Sequence, residues 1–220
     1  MEPLKIFYYV LLFGSLAALK FNQTKLYVNN IRLIEFLFVC SIVTEISVDL
    51  LKYYYNITYW VVFHVYQPVE YILLTYLFYF NTKSKNLKKC TALSVPLYLA
   101  TLFVYYSMSR ESLFVPKYFD FVLESFLVSI WAALYMLELV SSDELSESII
   151  TIPLFWIAFA TIIFYSGSIF IMGFRYYLDM SAPALSQIAR SVGHYLNFLF
   201  YLLLIFAFIW IPFMKKPSLV

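Results

Sequence analysis

Charge is scarce in this sequence. Only 13% of its 220 residues are charged, where a soluble domain carries about 25%. An ordinary soluble surface is therefore excluded. Cysteine is nearly absent: Cys40 and Cys90 are the only two, which leaves neither a disulfide framework nor a metal knuckle, and both read as small packing residues. Histidine occurs only at His64 and His194, so a three-histidine zinc site cannot be built. A mixed site of His64, His194 and a carboxylate stays open, because the two histidines fall at similar depths. HExxH, GxSxG and P-loop patterns are all missing. So are the paired mid-span aspartates of an intramembrane protease and a lysine placed for a retinal Schiff base. No cofactor is implied.

The net charge of +2 is small, and a nucleic-acid partner is not expected, since such proteins concentrate a basic face. The densest basic stretch is "KSKNLKK", with Lys83, Lys85, Lys88 and Lys89. It reads as a cytoplasmic topology signal and a surface for anionic lipid.

What is present is apolar. The chain is 63% hydrophobic with a mean hydropathy of +0.81. A membrane-spanning helix needs about 20 mostly apolar residues. Seven runs qualify, over 3–19, 31–51, 57–80, 91–108, 119–140, 149–174 and 188–213. They are too long and too continuous for the alternating strands of a barrel. The expected fold is all-α: one polytopic membrane domain over 1–220, a bundle of seven transmembrane helices with the lipid bilayer as its solvent. The first run reads as a span, because Glu2 weakens the positive region that a signal peptide needs.

With the N-terminus outside, nine lysines and arginines fall on inner segments and six on outer ones. The expected orientation is N-out, C-in, in the cell membrane, for a bacterial chain the inner one. "YYYNITYW" then marks an aromatic outer interface. Its sequon at Asn56 and the one at Asn22 are short matches. The stretches 21–30, 81–90, 141–148 and 175–187 read as polar or turn-rich breaks, and Ser142 or Asp143 as the cap of a short turn.

Ionisable groups inside a span cost about 2.5–3.5 kcal/mol at its centre, so their positions carry information. The third run holds His64, Gln67 and Glu70, spaced by three, roughly 60° apart around a helix and about 9 Å end to end. Pro68 removes the helical partner of the His64 carbonyl and favours a kink. The stretch is either a polar patch that glues helices together or a proton or cation site. The second run carries Glu35, Glu45 and Asp49. Glu45 is the deepest, and Lys52 is the expected cation for Asp49. The fifth run places Glu124, Trp131, Tyr135 and Glu138 on one stripe, the sixth Thr161, Tyr165 and Ser168, and the seventh Arg190, His194, Asn197 and Tyr201. Ser166-Gly167-Ser168 and Gly14 with Ala18 are candidates for close helix contact.

Converging stripes make a polar, wet interior. Its expected ligand- or ion-binding residues are Glu45, His64, Gln67, Glu70, Glu124, His194 and Asn197, with Arg190 as counter-charge at the outer mouth. The leading expectation is a bundle that binds or conducts protons, cations or a small solute. A sensor or interaction subunit with a separate partner, including a membrane effector of a defence system, is the first alternative, and a lipid-active membrane enzyme the second. A homo-oligomer would allow a pore between subunits.

"HVYQPVEYILL", "FWIAFATIIFYSGSIFIMG" and "GHYLNFLFYLLLIFAFIW", in this order, resemble a group of small seven-span bacterial membrane proteins. The shared pattern is an aromatic-polar-Pro-x-Glu stretch and a late Tyr-Ser-Gly turn. It implies a seven-span fold and a membrane location, and brings no activity with it.

Overall fold

The structure is a computed structural model that describes residues 3–26, 28–55, 60–108, 118–141 and 149–214. It holds seven long helices: α1 (Pro3–Asn22), α2 (Arg32–Leu50), α3 (Trp60–Asn81), α4 (Lys85–Met108), α5 (Tyr118–Ser141), α6 (Pro153–Ser181) and α7 (Pro183–Met214). Short turns of tighter or wider helix follow α1 and α2 and precede α6. There is no strand among the described residues.

Six of the seven helices, all but α2, are long and apolar enough to cross a membrane. Large apolar side chains cover their outer surface, among them Phe13, Val65, Phe103, Leu137, Phe170 and Trp210. A soluble monomer does not expose apolar surface on this scale; the six helices fit a multi-pass membrane protein. The expected seventh span, over 31–51, does form a helix, but Arg32, Glu35, Glu45 and Asp49 make it too polar to qualify on composition.

α1 accounts for how α2 joins the bundle. Lys20 pairs with Glu35 at 2.5 Å, Tyr8 donates to Glu45 at 3.2 Å, and Lys5 and Tyr9 both hydrogen-bond Asp49. Each acid of α2 thus takes a partner from α1, running antiparallel beside it. The closest cation to Asp49 is Lys5, not the expected Lys52.

Helices α1, α2, α3, α5, α6 and α7 form a closed ring in the order α1–α2–α3–α5–α6–α7–α1, and α4 packs outside it against α3 and α5. Alternation of direction puts the starts of α1, α3, α5 and α7 on one face, called here the amino-terminal face. The core below that face is apolar: Leu12, Leu19, Phe38, Phe78, Ala207 and Phe208 are all buried, and Phe38 meets Phe208 edge to face at 6.1 Å.

Several boundaries differ from those expected. The break at 81–90 is mostly helix, because α4 starts at Lys85; Lys85, Lys88 and Lys89 stand on its first turns, and Lys83 precedes it. The break at 175–187 is also nearly all helix: α6 runs to Ser181 and α7 starts at Pro183, with only Ala182 between. Pro183 stands at the first position of α7, where its missing N–H costs nothing. The expected caps at Ser142 and Asp143, and the sequon at Asn56, lie outside the described residues.

Gly167 sets the approach of α6 to α7. A Cβ there would stand 2.6 Å from Leu196 Cδ1. That methyl ends a flexible side chain, so Gly167→Ala is expected to cost about 1 kcal/mol. Gly167→Leu is expected to push the helices apart and lower the unfolding midpoint in detergent by far more. Thermal unfolding of both variants beside the wild type checks the difference.

Candidate functional site

A cavity of about 230 Å³ lies inside the ring. It sits toward the amino-terminal face, because its lining comes from the starts of α1 and α5, the second half of α2, the first half of α3, and the middle portions of α6 and α7. The volume exceeds the ~10–15 Å³ that one water needs and falls below the ~300–1,000 Å³ of a drug-sized ligand site.

Four of the expected residues line this cavity together: Glu45 from α2, Gln67 and Glu70 from α3, and Asn197 from α7. Glu70 accepts a hydrogen bond from Tyr165 at 2.7 Å. Tyr66 lies beside it and shares a 2.6 Å hydrogen bond with Ser41. Gln67 is buried, and its Oε1 receives no donor. α3 stays helical through Pro68, so the proline falls beside the cavity wall without ending the helix.

The other expected residues go elsewhere. His64 points away from the cavity into a buried cluster. Its Nδ1 lies 2.7 Å from Asp120 Oδ2, and Tyr106 donates to the same oxygen at 2.5 Å. Asp120 Oδ1 accepts the backbone N–H of Phe121 at 2.9 Å. One carboxylate thereby ties α3, α4 and α5. Glu124 is fully buried, four residues further along α5, and neither of its carboxyl oxygens has a hydrogen-bond donor. Its carboxyl lies within electrostatic reach of Glu70 in the cavity and of Asp120. Tyr98 of α4, whose buried hydroxyl also lacks a partner, lies within electrostatic reach of Glu124.

His194 and Arg190 do not reach the cavity. Both are exposed. The lining face of α7 is Gly193, Asn197, Phe200 and Tyr201, turned by one residue from the expected stripe. Arg190 instead donates to Asp179 at 3.1 Å, where Ser186 also hydrogen-bonds the carboxylate. The Ser186 hydroxyl, then Arg190 and Arg175, hold the Asp179 carboxyl below the usual carboxylate range. This cluster fastens the tight α6–α7 corner. With His64 buried and His194 exposed, the mixed histidine site does not form; among the described residues no three His, Cys, Asp or Glu side chains gather as metal ligands.

On the opposite face Glu138 accepts the backbone N–H groups of Lys83 and Ser84 at 2.6 and 2.8 Å and the hydroxyl of Thr82. It clasps the α3–α4 turn, where the sequence pattern had placed it on an inward stripe. Lys85 and Lys89 are exposed there, and Lys88 lies over the ring of Tyr79 at 5.8 Å.

The sequence pattern did not mark Asp120, Tyr8, Tyr66 or Tyr106. Asp120 had a usable signal: it precedes Glu124 by four, which puts both on one helical face. The tyrosines carried none, because 21 of them are spread through the chain.

The arrangement defines an all-α, multi-pass membrane bundle with a half-depth polar cavity in its ring. The chain matches no known protein family, no curated protein and no solved structure.

Proposed function

We propose that this chain is a transporter-like protein that binds a proton, a cation or a small solute in the ring cavity. In this reading α2 is the seventh span, the amino-terminal face is the outer one, and the membrane is a bacterial inner membrane. The observation that carries the proposal is the convergence of Glu45, Gln67, Glu70 and Asn197 on one cavity bounded by the ring helices. Intramembrane carboxylates that face a cavity mark ion or proton pathways more often than lipid-facing surface.

The apolar floor favours a carrier over a standing channel. A channel needs a continuous polar path, whereas Phe38, Phe78 and Phe208 fill the bundle below the cavity. Access from the second side then needs a change in helix packing. The orientation rests on the exposed Lys20, Arg32, Lys85 and Lys89 at the face opposite the amino terminus, as the positive-inside rule requires.

The test is proton and monovalent-cation flux in proteoliposomes. Wild type is expected to exceed empty liposomes, and Glu70→Gln and Glu45→Gln to fall toward background. Folded wild type that carries nothing would remove the transport reading and leave a sensor that works through a separate partner.

A further inference from the structure

We infer that the ligand of the ring cavity is a small organic ammonium ion. This rests on the reading of the cavity as a binding site and names the chemistry it selects.

The cavity wall is rich in aromatic rings. Phe, Trp and Tyr make up 22% of the sequence and seven of the seventeen lining residues. The rings are arranged as a wall. Phe164 of α6 packs on Phe200 of α7 at 5.0 Å, Phe200 on Tyr201 at 5.4 Å, and Tyr201 on Tyr8 of α1 at 5.6 Å. Tyr66 of α3 closes the other side. Ring faces carry negative electrostatic potential and attract cations, most strongly where water is excluded.

The polar part of the lining has the same sign. Among the described residues, Glu45 and Glu70 are its only ionisable groups besides tyrosine, and no lysine, arginine or histidine lines it. Gln67, 6% exposed, adds an uncharged polar side chain to the wall. An anion would meet two carboxylates with no counter-charge. A bare metal ion is held by a shell of oxygens, whereas most of this wall is ring and methylene surface. A cation clothed in methyl or methylene groups satisfies both parts: its charge faces the carboxylates and its hydrocarbon faces the rings.

The experiment is binding of tetramethylammonium to the purified full chain in detergent, by thermal shift and by isothermal titration. Sodium ion and neutral tert-butanol serve as comparisons. Saturable stabilisation by tetramethylammonium alone is expected. Glu70→Gln and Phe200→Leu are each expected to weaken it by roughly fivefold to thirtyfold. Circular dichroism and a single gel-filtration peak establish that the variants are folded, and Glu45→Gln replaces Glu70→Gln should the latter fail this check. Equal stabilisation by tert-butanol overturns the inference and leaves a neutral-solute site. Stabilisation by sodium without tetramethylammonium overturns it and leaves a metal-cation site. No stabilisation by any of the three overturns this inference and leaves the binding role of the cavity to the flux experiment, which fails or succeeds independently of it.

Discussion

Asp120→Ala is expected to destabilise the bundle by about 2–5 kcal/mol, because it removes the buried acceptor of His64 and Tyr106, at about 1–3 kcal/mol for each group left short of a partner. Asp120 is 1% exposed. Its carboxylate takes His64 of α3 at 2.7 Å, Tyr106 of α4 at 2.5 Å and the N–H of Phe121 in its own first helical turn at 2.9 Å. The alanine variant removes the acceptor that all three share, in a setting where water does not compete to replace it. α4 is the helix most affected, since it lies outside the ring and Tyr106 is one of its polar anchors. Asp120→Asn keeps one acceptor oxygen and the side-chain volume, and is expected to lose about half as much. Unfolding by detergent titration, followed by circular dichroism, measures both. A loss below about 1 kcal/mol in Asp120→Ala would mean that the cluster is held by its apolar surroundings instead.

The all-α fold was legible because apolar runs near twenty residues leave few alternatives. Their ends were less legible. Lysines at 85–89 and the 175–187 stretch read as loops by composition, yet they form helix, since long basic side chains at a helix end reach past the apolar zone and proline is welcome in a first turn. The pairing of α2 with α1 could not be read at all. Glu45 and Asp49 look like a liability within one helix, and their partners Tyr8, Tyr9 and Lys5 lie about forty residues away. For the site, spacing by three gathered Gln67 and Glu70 correctly on one wall but placed His64 with them. Over two turns of helix that spacing drifts, and His64 ends against α4 and α5. On α7 the same drift of one residue moved His194 from the inside to the outside.

Glu124→Met is expected to do the reverse of Asp120→Ala: to raise stability while removing function. The Glu124 carboxyl is fully buried and neither oxygen receives a hydrogen bond. A buried carboxyl of this kind is satisfied only by a proton, a cation or water, and packing recovers none of its desolvation cost. Methionine has a similar length, fills irregular space and carries no hydrogen-bonding demand. A buried polar group without a hydrogen-bond partner costs about 1–3 kcal/mol, and a gain in this range is expected here, read from the same detergent titration. Function is where the cost falls. In the proposed transport, Glu124, buried without a hydrogen-bond donor one turn along α5 from Asp120, is a further acid able to hold a proton. Flux through Glu124→Met is therefore expected to drop to background in proteoliposomes although the protein is more stable. The two readouts separate the causes. A variant that is less stable and inactive would make Glu124 a structural partner, and one that is more stable and fully active would make it a passive acid. Stability gained with activity lost is the signature of a group kept for what it does.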